Sequence, residues 1–335
     1  MKEALVTPGT KVEIVDSSIP KPLDDQVLIQ VVVSGSNPKD WKVPDWRQVT
    51  ANQGDDIAGV VSQVGSNVIE FKPGDRVAAF HEIMAPHGSF AEYAIAWQHT
   101  TFHLPKDTTF EGGAAIPLAA LTAAVGLYTR LGLPQPWTPA TEPIPLIIYG
   151  AASSVGAYAV QFARKSNIHP LICVAGSSQS YVETLIDRSK GDIIIDYRDG
   201  DEAVVEALKK AAGGSKLLYA FDATSEKNSY VNISQVLAEG AKITLVLPSK
   251  DFEFPSYVTQ SLTTVGSVHS NEKDFGYVYS RYITRALQEG WFKPQPQVVV
   301  PGGLGGIQKG LEDLKAGKAH GIKYVFRIAD TEGVQ

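Results

Sequence analysis

A single cysteine, Cys173, stands in a chain of 335 residues. One thiol can close no internal disulfide and can build no multi-cysteine metal cage. Surplus positive charge is missing as well: 30 Lys and Arg against 36 Asp and Glu give a formal net charge of −6, so the basic footprint of a nucleic-acid-binding chain is absent. Long hydrophobic runs are also lacking. One long uncharged stretch, Gly112 to Thr129, is rich in alanine and interrupted by Pro117 and Gly126. It is too short and too weakly apolar to span a bilayer comfortably, and it reads as the start of a buried helix. The amino end has no apolar core of signal-peptide length, and the carboxyl end has no peroxisomal tripeptide. A cytosolic protein without membrane or nucleic-acid partners is the expectation. No internal repeat, low-complexity tract or long linker stands out. What is present, 44% hydrophobic and 20% charged residues, suits an ordinary globular chain of about two domains.

The first hundred or so residues read as β structure. Val27 to Val33 (VLIQVVV) is a β-branched run bounded by Asp24-Asp25 and Ser34-Gly35, and Ile57 to Val64 (IAGVVSQV) is a second, closed by Gly65. Lys72-Pro73-Gly74-Asp75 is a tight turn feeding Arg76 to Phe80, because proline presets the turn and glycine takes the unusual dihedrals. Short strands at this spacing predict a small barrel-like β domain.

Near Pro117 the rhythm changes to an alternation of strands and helices. Strands are expected at Leu146–Tyr149, Pro170–Ala175, Asp192–Asp196, Leu217–Asp222 and Lys242–Leu247. Helices are expected at Ser154–Asn167, Gln179–Ser189, Glu202–Ala212 and Tyr230–Ala238. Such βαβ alternation predicts an α/β fold with a doubly wound parallel sheet. After Gly266 the alternation stops, and the tail offers helices at Phe275–Glu289 and Gly305–Lys315 and a strand at Lys323–Ile328. The tail is expected to pack back on the β domain. That makes one domain discontinuous, residues 1–116 with 267–335, around a nucleotide-binding domain of residues 117–266.

The most informative segment is Pro145 to Ala163, where an apolar strand runs into small residues and then into an amphipathic helix. Gly150 leads a loose dinucleotide fingerprint, Ala151-x-Ser153-x-x-Gly156, that includes Ala152, Ser154 and Val155. Small residues let the backbone approach a pyrophosphate whose charge sits at the helix amino terminus. The cofactor's identity follows from the end of the next strand. NAD sites usually carry an acidic residue there for the ribose 2′-hydroxyl, whereas this chain has Gly176-Ser177-Ser178. A carboxylate would repel a 2′-phosphate and the hydroxyls of Ser177 and Ser178 can donate to one, so NADPH is the expected cofactor. Tyr197 and Arg198, closing the following strand, are within reach of the same phosphate or are plain surface residues.

Six segments resemble the medium-chain dehydrogenase/reductase superfamily, in order and over nearly the whole chain: Asn37-Pro-Lys-Asp40, Gly54–Gly65, Lys72–Val77, Gly88–Tyr93, Leu118–Ala124 and Gly150–Gly156. Within it the chain is similar to the zinc-independent quinone oxidoreductase and enoyl reductase branch. Asn37–Lys42 and Pro117–Tyr128 most resemble fungal trans-acting enoyl reductases that serve polyketide synthases. The resemblance implies a GroES-like β-barrel-type domain joined to a Rossmann domain, and a cofactor set that includes Lys42, Ser177, Tyr197, Leu247 and Lys323. It also implies a polyketide synthase acyl carrier as a partner, and it leaves monomer and homodimer open. One departure is Ser180, where some quinone reductases carry a phosphate-binding lysine. Zinc alcohol dehydrogenases of the superfamily offer a cysteine where Asn37 stands and a His-Glu pair where Asp55-Asp56 stand. Neither set is here, His81, His87, His99 and His103 suggest no alternative, and no metal site is expected.

Without a metal, the expected chemistry is hydride transfer from NADPH to the β carbon of an α,β-unsaturated carbonyl or enoyl thioester, with an enolate to be stabilised and protonated. Lys42 is a candidate donor to that enolate or a cofactor ligand; a solvated surface lysine is the plainer reading. Thr122 is a candidate hydrogen-bonding residue, or a helix cap. Asn37 orients substrate or ribose, or simply forms an Asn-Pro turn, and Asp55 is expected to fix Lys42. Trp41, His87 and Tyr128 line a pocket or pack in the core. Cys173, in mid-strand, is assigned no role. Two rival functions remain, an NADPH quinone oxidoreductase and a non-catalytic NADPH-binding protein.

Overall fold

The computed structural model describes residues 1–334. The chain opens with strands β1 (Lys2–Thr7), β2 (Lys11–Asp16) and β3 (Gln26–Gly35), then helix α1 (Lys39–Arg47), and continues with β4 (Asp56–Val64), β5 (Arg76–Phe80), β6 (Tyr93–Trp97) and β7 (Thr101–His103). Helices α2 (Phe110–Ala114) and α3 (Pro117–Ala124) follow, and a π-helical turn over Val125–Arg130 continues α3. Next come β8 (Leu146–Tyr149), α4 (Ser154–Lys165), β9 (Leu171–Ala175), α5 (Gln179–Glu183), β10 (Ile193–Asp196), α6 (Asp201–Ala212), β11 (Tyr219–Asp222), α7 (Ser229–Ser234), β12 (Lys242–Leu245) and β13 (Thr259–Leu262). The tail contributes α8 (Lys273–Gln288), β14 (Gln297–Val299), α9 (Ile307–Lys315) and β15 (Lys323–Arg327). Two compact units result: Met1–Leu118 together with the chain from Gly266 onward, and Ala119–Val265.

In the first unit the β-branched run becomes β3, the strand on which the sheet is organised. It pairs antiparallel with β4, with β6 and, through Val33–Gly35, with β15 from the tail. Strand β4 carries the sheet on to β5 and β7. Val27, Ile29, Val31 and Ile57 point into a core that also holds Phe90 and, from the tail, Leu311 and Phe326. Leu311 and Phe326 make the tail part of this unit's core. Burying these side chains stabilises the unit by about 1.5–3 kcal/mol each.

The second unit is a six-stranded parallel sheet in the order β10-β9-β8-β11-β12-β13. The first three strands run outward in one direction and the last three in the other, so the order reverses between β8 and β11. Doubly wound sheets bind dinucleotides at that reversal, beyond the carboxyl ends of the strands. Strand β9 is buried on both faces, LICVA throughout, and burial pushes the Cys173 thiol pKa up, which keeps it inert.

Two expectations need correction here. The helix expected over Gln179–Ser189 ends at Glu183, because the Asp187 carboxylate accepts from the Ser189 N–H at 3.0 Å and starts a separate 3₁₀ turn. The alternation also runs one strand further than Lys242–Leu247. Its sixth strand, β13, is a sheet edge of sequence TQSL, mostly exposed, and so lacks the apolar pattern by which strands are read. Among the described residues no helix is long and apolar enough to cross a membrane.

Candidate active site

In the second unit β8 ends at Tyr149, and Gly150 turns the chain with φ +78°. The N–H groups of Gly150 and Ala151 both donate to the Val174 carbonyl, at 2.9 and 3.0 Å, which folds the loop back on β9. Ser153 caps α4, accepting from the Gly156 N–H at 3.0 Å. A Cβ on Gly156 would lie 2.2 Å from the Gly150 carbonyl oxygen. Only glycine lets the helix start this close to the strand. Ala152, Ser153, Ser154 and Val155 are half-buried around that start, as a loop that closes on a pyrophosphate requires.

One strand over, the loop Gly176–Ser178 has no carboxylate. The Tyr197 ring lies on the Gly176 backbone, where a Cβ would come within 2.6 Å of the ring. The structure thereby brings Tyr197 to the loop that carries Ser177 and Ser178. Two features escape a reading of the sequence. Asp196 holds Arg198 and Gln179, with its carboxyl held down to about 2 by the Arg198 hydrogen bonds. Asp222 is buried at the end of β11 and accepts from Thr224 N–H, Ser225 N–H and the Ser229 hydroxyl, fixing the loop at the point where the strand order reverses. Leu247 lies half-buried beyond the end of β12. These residues fit a dinucleotide: a glycine-floored turn, a capped helix start and an acid-free second loop.

In the first unit the candidate residues form a buried polar network. Asn37 and Asp40 clasp the start of α1 reciprocally, Asn37 N–H to Asp40 Oδ2 at 2.7 Å and Asp40 N–H to the Asn37 carbonyl at 3.0 Å. The Asn37 side chain is thus left for other partners. Its Nδ2 donates to Asp56 Oδ2 at 2.8 Å, and its Oδ1 accepts from the Lys323 ammonium at 2.9 Å. Lys323 also donates to Asp56 Oδ2 at 2.5 Å, and Asp56 Oδ1 accepts from the Leu118 N–H at 2.7 Å. Asn37, Asp56 and Lys323 are each 3% exposed or less.

A second lysine serves the same wall. Lys39 Nζ sits 2.5 Å from Asp55 Oδ2 and 3.3 Å from Asp40 Oδ1, and donates to the Gln53 carbonyl at 2.6 Å. Burial pushes the Asp40 carboxyl up to about 7, against the attraction of Lys39. Burial raises Asp55 too. Burial alone would lower Lys39, but Asp55 and Asp40 outweigh it and raise it. Two ammonium groups here face three carboxylates, so one carboxyl readily keeps its proton.

The expected pairing of Asp55 with Lys42 is therefore wrong. Lys39, in the first turn of α1, takes Asp55, whereas the Lys42 ammonium lies over the indoles of Trp41 and Trp46, at 5.4 and 6.0 Å. Thr122 is buried in the middle of α3, which removes the capping reading. Trp41 packs against the core, and the Tyr128 hydroxyl meets Ser166 Oγ at 2.8 Å. His87 is exposed at φ +72°. No cluster of three His, Cys, Asp or Glu side chains among the described residues is arranged for a metal ion. Asn37 and Asp56 are both bonded to the Lys323 ammonium.

Residues 23–106 match the alcohol dehydrogenase GroES-like domain. A trans-enoyl reductase of Gibberella fujikuroi, fsr4, is 54% identical over 308 residues, 90% of this chain and 91% of that protein. The chain belongs to the trans-enoyl reductase family. Solved structures give its fold a wider setting. A Rhizobium etli protein described as a zinc-dependent alcohol dehydrogenase superposes with a TM-score of 0.85 at 22% identity, covering 97% of this chain and 98% of that one. A mycobacterial protein solved with NADPH superposes with a TM-score of 0.77 at 18% identity, covering 97% and 99%. This trans-enoyl reductase family member is thus an enzyme of the medium-chain dehydrogenase/reductase fold, with a GroES-like unit and a Rossmann unit.

Proposed function

We propose that the protein reduces the C=C bond of an α,β-unsaturated carbonyl or enoyl thioester with NADPH and without zinc. The observation that carries this reading is the Lys323 ammonium, bonded to Asn37 and Asp56 where zinc-bearing relatives would present metal ligands. A fixed cation of this kind repels a metal ion. It disfavours a zinc alkoxide and supports hydride transfer to an already activated acceptor.

A nicotinamide cofactor, when bound, would supply the hydride to the β carbon. Ala152 to Gly156 hold the pyrophosphate at the start of α4, Tyr197, Ser177 and Ser178 take the adenosine end, and Leu247 borders the cofactor. Lys42 is the proposed donor to the carbonyl oxygen as it gains charge, a kind of contact worth about 10²–10³ in rate at such sites, and Thr122 is proposed to hydrogen-bond substrate or nicotinamide. Lys323 positions Asn37, whose amide orientation it fixes through Oδ1. The natural acceptor is an acyl chain on the carrier of a polyketide synthase, met in the cytoplasm. The enzyme acts as a monomer or homodimer.

The test is a panel of acceptors followed by loss of NADPH absorbance. Enoyl thioesters are expected to be reduced to saturated thioesters. Oxidation of NADPH with quinones alone would replace this reading with the quinone oxidoreductase one, and no turnover with any acceptor would leave a binding protein.

A further inference from the structure

At the end of β10, Asp196 stands in register beside Ala175, the last residue of β9 before the Gly176–Ser178 loop. Both strands run the same way, so both side chains and loop meet at the carboxyl edge of the sheet, where the adenosine ribose lies in doubly wound folds. Arg198 reaches back to Asp196 with unusual completeness. Its Nε donates to both carboxylate oxygens, at 2.9 and 3.1 Å, one terminal nitrogen donates to Oδ2 at 2.6 Å, and its own backbone N–H donates to Oδ1 at 2.9 Å. From the other side of the loop, Gln179 Nε2 donates to Oδ2 at 2.6 Å.

An isolated surface ion pair contributes little to stability. Here the side chains are 55% and 18% exposed, and the consequence is orientation. The guanidinium is gripped along one edge, through Nε and Nη2, while Nη1 makes no hydrogen bond among the described residues. The rest of the loop offers a 2′-phosphate only hydroxyls, from Ser177, Ser178 and Tyr197, and Ser180 brings no charge. A planar guanidinium with a free edge is suited to a phosphate's geometry.

We propose that Arg198, oriented by Asp196, is the group that selects a 2′-phosphorylated dinucleotide in this chain, with Asp196 and Gln179 as its positioning residues. This rests on the NADPH reading above and adds where the selectivity resides. It also assigns Asp196 a second effect. With Arg198 removed, the carboxylate stands uncompensated beside the loop and repels the phosphate.

The experiment is calorimetric titration of NADP⁺ and NAD⁺, without turnover, into the full-length protein and the Arg198→Ala, Asp196→Asn and doubly substituted variants. Circular dichroism melts confirm that each is folded. The parent protein is expected to prefer NADP⁺. Arg198→Ala is expected to lose about tenfold to a hundredfold in NADP⁺ affinity while NAD⁺ affinity moves less than about threefold. Asp196→Asn should lose less, and the double variant should bind NADP⁺ more tightly than Arg198→Ala alone, a recovery that a merely structural role for Asp196 would not give. A parent that prefers NADP⁺ and an Arg198→Ala variant with the same preference would overturn the inference and leave the cofactor reading standing. No recovery in the double variant would overturn the role of Asp196. A parent without preference would overturn the cofactor reading, and this inference with it.

Discussion

In the nucleotide-binding unit the residues that matter most carry the least: Gly150, Gly156 and Gly176 make room for a backbone turn, a helix start and an aromatic ring. The GroES-like unit works with the opposite material, five ionisable side chains in two bonded groups, half-buried Lys39 with buried Asp40 and Asp55, and buried Lys323 with buried Asp56. On the proposed function, the difference follows from what each locus has to do. A phosphate-bearing cofactor brings its own charge, so the protein supplies close backbone and a helix terminus. An acceptor that becomes charged only as it reacts needs dipoles and charges already fixed in place, and fixing them inside a protein requires partners for every one.

This contrast predicts different penalties when each unit is altered. The largest belongs to the charged network. Lys323→Met strands Asp56 without its counter-charge and should cost about 3–5 kcal/mol of stability by denaturant titration. Adding Asp56→Asn should recover a substantial part of that loss. If the single variant is as stable as the parent, the network is not the structural element described here.

The glycine floor gives the next effect. Gly156→Ala puts a Cβ at 2.2 Å from the Gly150 carbonyl oxygen, which should cost about 1–3 kcal/mol and abolish measurable NADP⁺ binding. Tight NADP⁺ binding by a folded Gly156→Ala variant would contradict the placement of the pyrophosphate. Lys42→Ala and Thr122→Val should lower kcat on an enoyl thioester by about tenfold to a thousandfold while NADP⁺ affinity is largely kept. Full kcat in both would remove them from the reaction.

The last effect is one of pH, spread over several units of pH rather than concentrated in one variant. Burial raises Asp40 to about 7 from its ordinary 3.8, against Lys39 and with Asp55 and Asp56 adding to the rise. The folded state therefore holds a proton that the unfolded state releases, and Asp40 favours folding most below its unfolded pKa. Stability should fall as pH rises from 3.8 to about 7, by at most about 1.4 kcal/mol per pH unit for one proton, and then level. Asp40→Asn, which can still accept from the Asn37 N–H, should flatten that fall. An unchanged profile would mean that Asp40 is ionised throughout.

Much of the fold is legible in the sequence, because VLIQVVV, LIIYG and LICVA are runs whose burial is dictated by composition. The strand β13 is not legible, since an edge strand with the sequence TQSL gains little from burial and shows no pattern. The site divides in the same way. Glycines and serines of the nucleotide loop announce themselves by spacing, and Asn37 is reached through family resemblance, which offers Lys323 only as a cofactor residue and not as the buried partner of Asn37 and Asp56. Lys39, Asp40 and Asp196 are hidden because their roles depend on partners from other elements or across a loop. Nothing in Asn37–Lys42 says which lysine turns inward; the fold decides, giving Asp55 to Lys39 and the indoles to Lys42.

The central claim is that the protein delivers hydride to carbon. Incubating it with an enoyl thioester and NADPH deuterated at nicotinamide C4, on each face in turn, and analysing the product by mass spectrometry tests that claim directly. The account predicts one deuterium on the β carbon of the saturated thioester from one of the two labelled cofactors. NADPH consumed with the thioester left unsaturated, or a saturated product carrying no label from either, would contradict it.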